Sequence, residues 1–268
     1  MPSRPSIALA TSVEVADLDD EGQDLAAELR RRGAEATAAV WDDETIDWSA
    51  YDLVVVRSTW DYATRREQFL QWAARISAVT TLANDAATLS WNTDKRYLLD
   101  LAAGNVPIVP STFIEPGQSP QHDLLDGEHV AKPSVSAGSK DTLRLGPHEA
   151  DRSTAHVERI LASGRTALIQ PYVEGIDTDG ETALLFIDGK FSHAVCKAAI
   201  LRPGADLVDG LFAAEEITPR EPSRAERDIA DRALVAIPGD QIPLYARVDL
   251  LPSPAGPVLL ELELAEPS

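Results

Sequence analysis

Short apolar runs recur through the first 90 residues of the chain. The runs at 7–10, 36–40 and 53–56 have the length and composition of strands. The run at 53–56 contains no polar position, which is typical of a strand that is buried on both faces. The sequence therefore predicts a small sheet near the amino terminus.

Amphipathic segments lie between and after these strands. Apolar residues at helical spacing predict a helix at 18–32, with Leu18, Leu25 and Leu29 on one face, and a second helix at 64–78. Alternation of strands and helices predicts a parallel sheet, whose ligands gather outside the carboxyl ends of its strands. Polar and aromatic residues at 57–62 follow one such strand, so we expect this segment to line a site.

The remainder of the chain has more strands and fewer helices. Helices are predicted at 93–103, 149–162 and 223–235. Apolar or alternating segments predict strands at 130–132, 166–170, 181–187, 191–199, 245–251 and 258–264. Strands that follow one another so closely favour antiparallel pairing.

These patterns predict an α/β protein built from α+β lobes. We expect an N-terminal parallel domain at 1–90, a central lobe at 91–165 and a C-terminal lobe at 166–268. The segment 115–128 is rich in Pro, Gln, Gly and Asp and is the best linker candidate.

The amino-acid composition limits the classes of partner that the protein is expected to bind. The formal charge of −20 over 268 residues argues against a nucleic-acid or membrane-surface partner, because both favour clustered Lys and Arg. No signal peptide or apolar stretch of membrane-spanning length is visible, so we expect a cytoplasmic protein. An anionic ligand on so acidic a protein needs local cations, and lysines are scarce: Lys95, Lys132, Lys140, Lys190 and Lys197.

Common catalytic motifs do not occur in the sequence. The chain has no G-x-x-x-x-G-K-[ST] phosphate loop and no G-x-G of a dinucleotide site. It also lacks H-E-x-x-H, C-x-x-C and G-x-S-x-G, and its single cysteine, Cys196, excludes a multi-thiolate metal site within one chain.

Two acidic strands carry the strongest chemical pattern. Glu261 and Glu263 share one face of a strand, as do Arg247 and Asp249, because side chains at i and i+2 point the same way. If the strands pair through a turn at 252–257, the three carboxylates converge and would repel one another unless cations lie among them. Mg²⁺ suits such oxygen ligands. An exposed strand face with alternating acids would give the same spacing.

A small-residue loop at 134–139 follows the predicted strand that contains Lys132. Its Ser, Ala and Gly residues would allow backbone N–H groups to approach an anion closely. Such loops are common, so the loop alone is weak support for a phosphate site.

Taken together, the motifs occur in the order and spacing of ATP-grasp ligases, a family that includes glutathione synthetase and D-alanine–D-alanine ligase. The resemblance covers roughly residues 90–268 and rests on five segments: Asn92-Thr93-Asp94-Lys95, Val130-Ala131-Lys132-Pro133, Gln170-Pro171-Tyr172-Val173, Arg247-Val248-Asp249 and Glu261-Leu262-Glu263. It implies the ATP-grasp fold, with ATP and Mg²⁺ as cofactors.

The resemblance also implies a nucleotide site. Lys95 and Lys132 would contact the phosphates from two lobes, and Gln170, Tyr172 and Val173 would edge the adenine. The further contacts that it implies are loop residues over the phosphates and one acid at the ribose: Ser136, Gly138, Ser139, and Asp177 or Glu174.

A metal and phosphoryl-transfer site is implied beside the nucleotide. Asp249, Glu261 and Glu263 would bind two Mg²⁺ ions, while Arg247 and Lys197 would steady the transferring phosphoryl group and the acyl phosphate. Many family members have Asn where Glu263 stands here, so this site would carry an additional negative charge.

Longer segments resemble the O-ureidoserine cyclo-ligases of cycloserine biosynthesis more closely. These segments are 57–62, 91–97, 136–142, 180–184 and 261–264. This resemblance implies ring closure of O-ureidoserine to cycloserine, by activation of the substrate's own carboxylate. The amino-acid part would be held by Glu14, Arg57, Ser58, Thr59, Asp61 and Tyr62.

Two alternatives remain open at this point. One is an intermolecular ligase that joins amino acids or tailors a peptide; the other is a nucleotide-binding module without catalysis. The expected partner is a small amino-acid-like substrate, with a homodimer left open. The family usually extends beyond the metal-binding strand, so truncation after Ser268 is also left open.

Overall fold

The N-terminal region forms a parallel sheet in the order β2-β1-β3-β4. The computed structural model describes residues 4–120, 125, 127–205, 207 and 216–266. The elements of this region are β1 Ser6–Thr11, α1 Asp20–Arg31, β2 Glu35–Val40, β3 Leu53–Ser58, α2 Arg66–Ser77, β4 Thr81–Ala83 and α3 Ala86–Asn92. The predicted parallel sheet is therefore confirmed.

An aromatic core stabilises this sheet on one side. Phe69 and Trp72, one helical turn apart on α2, lie with Trp41 and Trp48 in edge and stacked contacts with ring centroids 5.3–6.0 Å apart. Val54 and Val56 of β3 pack against the same cluster. Buried aromatic pairs contribute beyond their buried area, so this core holds the end of β3 in place.

The predicted apolar face of the first helix is confirmed at Leu18 and Leu29, which pack in the core, and is wrong at Leu25. Leu25 is 37% exposed, and the buried positions of α1 are Gly22 and Ala26. Leu18 adopts a positive φ of 68° before the helix, which begins only at Asp20. A left-handed residue cannot continue a helix, so the helix starts two residues late.

The central region forms an antiparallel sheet in the order β5-β8-β6-β7. Its elements are α4 Tyr97–Ala103, β5 Thr112–Ile114, β6 His129–Pro133, β7 Leu143–Leu145, α5 Ala150–Ala162 and β8 Ala167–Pro171. Because β8 pairs with β5 and β6, this sheet extends past the expected boundary at residue 165. Residues 121–124 and 126 of the predicted linker lie outside the described residues.

The predicted helix at 93–103 begins only at Tyr97, and α3 was not predicted. The reason lies at Lys95. Its backbone N–H donates at 2.9 Å to the carbonyl of Ser134, in the loop after β6, and not to a carbonyl of a preceding helical turn. This contact ties the turn between α3 and α4 to the loop after β6. It therefore places Lys95 beside the predicted phosphate loop.

The C-terminal region forms a second antiparallel sheet, in the order β11-β10-β9-β12-β13. Its elements are α6 Ile176–Asp179, β9 Glu181–Ile187, β10 Lys190–Lys197, β11 Ile217–Pro219, α7 Arg224–Val235, β12 Tyr245–Leu251 and β13 Val258–Glu263. Helix α7 starts with a capping box between Ser223 and Glu226 and buries Ile229, Ala230 and Ala233 in the core that contains Val248. The face of this sheet that points away from α7 is therefore the one that can line a binding site.

Polar side chains join the N-terminal sheet to the last strands. The Asn84 side chain donates to the carbonyls of Tyr245 (2.9 Å) and Leu264 (2.8 Å) and accepts from the Leu244 N–H (2.7 Å). Asn92 donates to the Leu262 carbonyl at 2.7 Å. These buried bonds fix where β13 and the residues after it stand relative to the N-terminal domain.

No helix among the described residues is long and apolar enough to cross a bilayer.

Candidate functional site

A cavity of about 350 Å³ lies between the central and C-terminal sheets. Strands β6 and β8 and the loop after β6 form one wall, and β9, β10, β12 and β13 form the other. Trp60 contributes from the N-terminal domain. A cleft of this size between lobes is a usual place for a small-molecule site.

The predicted nucleotide residues meet in this cavity. They come from sequence positions as distant as 95 and 173, and the fold brings them to one surface. Those that line the cavity are Lys95, Lys132, Ser136, Gly138, Ser139, Gln170, Tyr172 and Val173.

The two acidic strands pair as expected and bring their charged side chains together. Asp249 lies opposite Glu261, and Arg247 lies opposite Glu263, in antiparallel pairing. All four side chains line the cavity, and Asp249 is 3% exposed. The alternative of an exposed acidic strand face is thereby excluded.

Lysines lie beside three of the carboxylates in the cavity: Asp249, Glu261 and Glu181. The Lys95 Nζ atom lies 2.9 Å from Glu261 Oε1 and also donates to the Ser136 carbonyl at 3.1 Å. Lys197 Nζ lies 3.3 Å from Glu181 Oε1 and 3.7 Å from Asp249 Oδ2. Each contact joins a lysine of one element to an acid of another, so the charges are held at the cavity wall.

Arg247 forms an ion pair with both oxygens of Asp249. Its Nε and Nη2 atoms donate to both Asp249 oxygens at 2.9–3.0 Å. Burial alone would raise the pKa of Asp249, but the charges of Arg247 and Lys197 bring the pKa below its ordinary value. Asp249 is therefore ionised in the neutral pH range.

Lys95 and Lys132 differ in their surroundings. Burial disfavours the charged form of both, but Glu261 raises the pKa of Lys95 above its ordinary value. For Lys132, burial and then the charge of Lys95 outweigh the attraction of Glu261 and lower its pKa to about 8. Lys132 is 8% exposed and makes no ion pair with any described residue. It is a buried cation available to an anion in the cavity.

Two acids of the cavity were not predicted as site residues. Burial and the charge of Asp249 raise the pKa of Glu181 to about 7, against the attraction of Lys197. Burial and the charge of Glu263 raise the pKa of Glu266 well above its ordinary value. Glu181 was within a segment that the resemblance used, whereas no spacing pattern distinguished Glu266.

The carboxylates suit a hard metal ion but do not form a complete binding site for one. In the part of the chain that the structure describes, no three acidic, His or Cys side chains are arranged to hold a metal ion by themselves. Asp249 and Glu261 are bonded to cations, and Glu263 Oε1 accepts from the backbone N–H of Ala265 at 3.0 Å. Mg²⁺ usually takes one or two carboxylates with substrate phosphates, so this donor set fits a metal that arrives with a nucleotide.

The predicted adenine end is polar and rigid. Gln170 donates to Ser111 Oγ at 3.0 Å, and its buried Oε1 has no partner among the described residues. The Tyr172 ring lies 3.4 Å below the Arg144 guanidinium, and its hydroxyl donates to Asp177 Oδ1 at 2.6 Å. This network fixes the edge of the cavity at Tyr172.

The acids predicted at the ribose are not among the residues lining this cavity. Asp177 is engaged by the Arg144 guanidinium at 2.9 Å through both of its oxygens, and Glu174 is exposed. Their role at a ribose stays a prediction.

None of the six predicted substrate residues lines the cavity. Arg57 pairs with Glu21 at 2.8 Å, and Ser58 donates to Asp19 at 2.7 Å. Asp61 accepts from Trp41 Nε1. The residues that were predicted for the substrate and do not line the cavity are Glu14, Arg57, Ser58, Thr59, Asp61 and Tyr62.

Trp60 is the one residue of segment 57–62 that reaches the cavity lining, and it was not singled out from the sequence. Tyr62, two residues later, stacks on Phe69 with ring centroids 5.1 Å apart and so anchors the segment in the core. Direct substrate contact by the other residues of the segment stays a prediction.

Comparison with known proteins shows which sequences and structures the chain is similar to. Residues 7–84 match the family described as "D-cycloserine synthetase DcsG, N-terminal domain". The chain is 39% identical to the cycloserine biosynthesis protein DcsG of Streptomyces lavendulae, over 98% of this chain and 91% of that protein. It also resembles the crystal structure of D-cycloserine synthetase DcsG, with a TM-score of 0.87 and 36% identity over 98% of this chain and 92% of the other.

More distant structures share the fold. The D-alanine–D-alanine ligase of Bacillus anthracis in complex with ATP has a TM-score of 0.71 at 13% identity, covering 98% of this chain and 87% of its own. The ATP-grasp ligase PsnB with its minimal precursor has a TM-score of 0.63 at 18% identity, covering 99% and 92%. At these identities the likeness shows the ATP-grasp fold, which confirms the predicted fold class.

Proposed function

Because the chain belongs to the family of ATP-grasp ligases that contains the D-cycloserine synthetases, we propose that it closes a ring within an amino acid after activating the amino acid's carboxylate with ATP. The observation that carries this proposal is the meeting of Lys95, Lys132, Lys197 and Arg247 with the acidic hairpin in a single cavity. Isolated cations beside convergent carboxylates suit Mg-ATP, in which a metal lies between carboxylates and phosphates.

In this proposal the nucleotide lies along the cavity between the two sheets. Its adenine lies near Gln170 and Tyr172, and its terminal phosphates lie near Lys95 and Lys132. Lys132 supports this direction because it is buried without an ion-pair partner among the described residues. The loop that contains Ser136 is already bonded to Lys95, so it can cover the phosphates without losing contact with that lysine.

Mg²⁺ would be held by Asp249, Glu261 and Glu263 together with phosphate oxygens, and it would supply charge neutralisation at the terminal phosphate. Phosphate oxygens would compete with Glu261 for Lys95, which would release the Glu261 carboxylate to the metal. The pKa of Glu261 lies below its ordinary value, so the carboxylate is ionised and ready to bind a cation.

The first step makes an acyl phosphate. A carboxylate oxygen of the substrate attacks the γ-phosphorus in line, the bond to the bridging oxygen breaks, and ADP leaves. Arg247 and Lys197 stand at the acidic hairpin, where they would hold the carboxylate and the transferring phosphoryl oxygens. Positioning and neutralisation of charge are the main contributions that a protein makes to phosphoryl transfer.

The second step closes the ring. In O-ureidoserine the nitrogen bonded to oxygen attacks the acyl carbon, inorganic phosphate leaves, and the nitrogen loses its proton. The five-membered ring then still carries the carbamoyl group, so water must remove that group as carbamic acid to give cycloserine. An intermolecular ligase would instead use the nitrogen of a second amino acid.

ADP release with single compounds separates these functions. We expect ADP and phosphate with O-ureidoserine alone, and ¹⁸O from its labelled carboxylate in the released phosphate. The Lys132→Met variant serves as the matched control, because it removes the unpaired cation and should form little ADP. AMP as product, or phosphate without label, would overturn the acyl phosphate. A strict need for two amino acids would favour the intermolecular ligase.

A further inference from the structure

Glu266 is a buried carboxyl group at the edge of the cavity that the steps above do not use. The residue is 4% exposed and lines the cavity. Its Oε2 atom is buried and has no hydrogen-bond partner among the described residues. An unpartnered buried carboxyl oxygen is costly, so a polar group that meets it in the bound state would remove a penalty of the free protein.

The backbone around Glu266 is fixed by the N-terminal domain. The Leu264 carbonyl accepts from the Asn84 side chain at 2.8 Å, and the Ala265 carbonyl lies 3.0 Å from the Tyr245 hydroxyl. Ala265 itself is part of the aromatic core of the N-terminal domain. Glu266 therefore stands where the N-terminal domain meets the acidic hairpin, at a rigid position.

The charges around Glu266 limit the kind of chemical group that could bind to it. Glu263 lies directly beside this residue, since its Oε1 atom is 3.4 Å from the Glu266 backbone nitrogen. The charges of Lys95 and Arg247 act on Glu266, but neither side chain is within ion-pair distance of it. Two acidic groups do not suit a phosphate or carboxylate, whereas a cationic group with several N–H donors would satisfy both and stabilise their ionised forms.

An amino-acid substrate has such a group one carbon away from its carboxylate. With the carboxylate at Arg247 and Lys197, the α-ammonium group must lie close to the acidic hairpin, where Glu266 has a buried oxygen, Oε2, without a partner among the described residues. We propose that Glu266 binds the α-ammonium group of the substrate and makes the enzyme specific for α-amino acids. Trp60 lines the same cavity, and an aromatic residue there suits a cationic group. The inference rests on the proposed function, since it takes the activated carboxylate to be that of an amino acid.

The test compares two substrates in two proteins. Wild type and Glu266→Gln are assayed for ADP formation with O-ureidoserine and with its analogue that lacks the α-amino group. In wild type we expect kcat/KM to fall about 100-fold on removal of the amine, as for loss of one partner of a buried charged pair. In Glu266→Gln the two compounds should differ less than threefold, with the KM for ATP unchanged.

The Glu67→Gln variant is the matched control, because Glu67 is an exposed acid on α2 that bonds only to Gln71 among the described residues. It should discriminate between the two compounds as wild type does. ATP-dependent thermal stabilisation reports that each variant is folded. If Glu266→Gln does not fold, Glu266→Asp takes its place, and its discrimination should lie between those of wild type and a variant without the charge.

The possible outcomes are distinct. Undiminished discrimination against the deaminated compound in a folded Glu266 variant overturns the assignment. A higher Mg²⁺ requirement with unchanged discrimination also overturns it, because Glu266 would then belong to the metal site. Absence of ADP formation by wild type with any amino acid would instead count against the proposed function itself.

Discussion

Lys95 Nζ lies 2.9 Å from Glu261 Oε1 and joins the turn between α3 and α4 to the last strand of the C-terminal sheet. Both groups line the cavity, and the pair keeps a cation and an acid charged inside the protein. Phosphate would compete for the lysine and a metal for the acid. Under the proposed function, the pair would therefore hold both charges in the free protein and would be exchanged for stronger partners on binding of Mg-ATP.

Stability should respond oppositely to two neighbouring charge removals. Glu261→Gln leaves Lys95 buried without its closest partner, so we expect the unfolding free energy of the nucleotide-free protein to fall by about 3 kcal/mol. In Glu263, burial and the charge of Glu261 raise the carboxyl pKa, so its ionised form is unfavourable. Glu263→Gln should therefore leave stability unchanged or increase it. Urea unfolding at neutral pH measures both; equal losses would contradict the argument.

The sequence predicted the acidic hairpin because local rules determine it. Side chains at i and i+2 share a face, and a short turn at 252–257 fixes the register that places Asp249 opposite Glu261. The same local rules could not identify Glu266. Its position depends on Asn84, which bonds to Leu264 from 180 residues away, and no pattern in the sequence records that contact.

The helices show the same limit. Periodicity located α2, α5 and α7 to within two residues, because each has a continuous apolar face. It missed α3 and started α4 early, because the Lys95 backbone bonds to Ser134 instead of continuing a helix. Tertiary contacts to the site therefore override local preference where the function requires a particular backbone path.

Gly180 should be irreplaceable because two strands meet at it. It has a φ of 72°, and an added Cβ would lie 2.5 Å from Cys196 Sγ and 2.8 Å from the Lys197 carbonyl oxygen. Gly180→Ala should displace β10 from Glu181 and reduce both stability and activity. Gly164→Ala is the control, since Gly164 has a φ of 79° with nothing within 4 Å of the added Cβ.

For Gly164→Ala we expect only the backbone cost, about 1 kcal/mol. The excess loss in Gly180→Ala, measured by denaturant unfolding, reports the close approach of the two strands. Similar losses in both variants would show that β10 moves aside without cost.

Trp60 should affect the substrate and leave the nucleotide unaffected. Trp60→Leu removes aromatic surface from the cavity wall, so we expect the KM for the amino-acid substrate to rise about tenfold, from a loss of one to two kcal/mol of contact. The affinity for ATP, measured by calorimetry, should not change. Trp48→Leu is the matched control, because Trp48 is equally buried in the same domain but does not line the cavity. Trp48→Leu should lower stability without raising the KM for the amino-acid substrate. If Trp60→Leu lost ATP binding as well, Trp60 would lie at the nucleotide.

Lys132 should make ATP binding and stability depend on pH in opposite directions. Its pKa in the folded protein is lowered to about 8 from the ordinary 10.5, chiefly by burial. Below pH 8 the ammonium is charged and can bind phosphate, so ATP affinity should weaken as pH rises through 8, by up to tenfold per pH unit.

The folded protein binds the Lys132 proton less tightly than the unfolded chain, so the unfavourable contribution of the buried charge is present below pH 8. Stability without nucleotide should therefore rise between pH 8 and 10.5.

In Lys132→Arg the guanidinium stays charged throughout, so both trends should be absent over pH 7 to about 9.5. Calorimetry gives the ATP affinities and urea unfolding gives the stabilities. ATP affinity that falls with pH equally in wild type and Lys132→Arg would assign the titration to another group and remove Lys132 from the phosphate site.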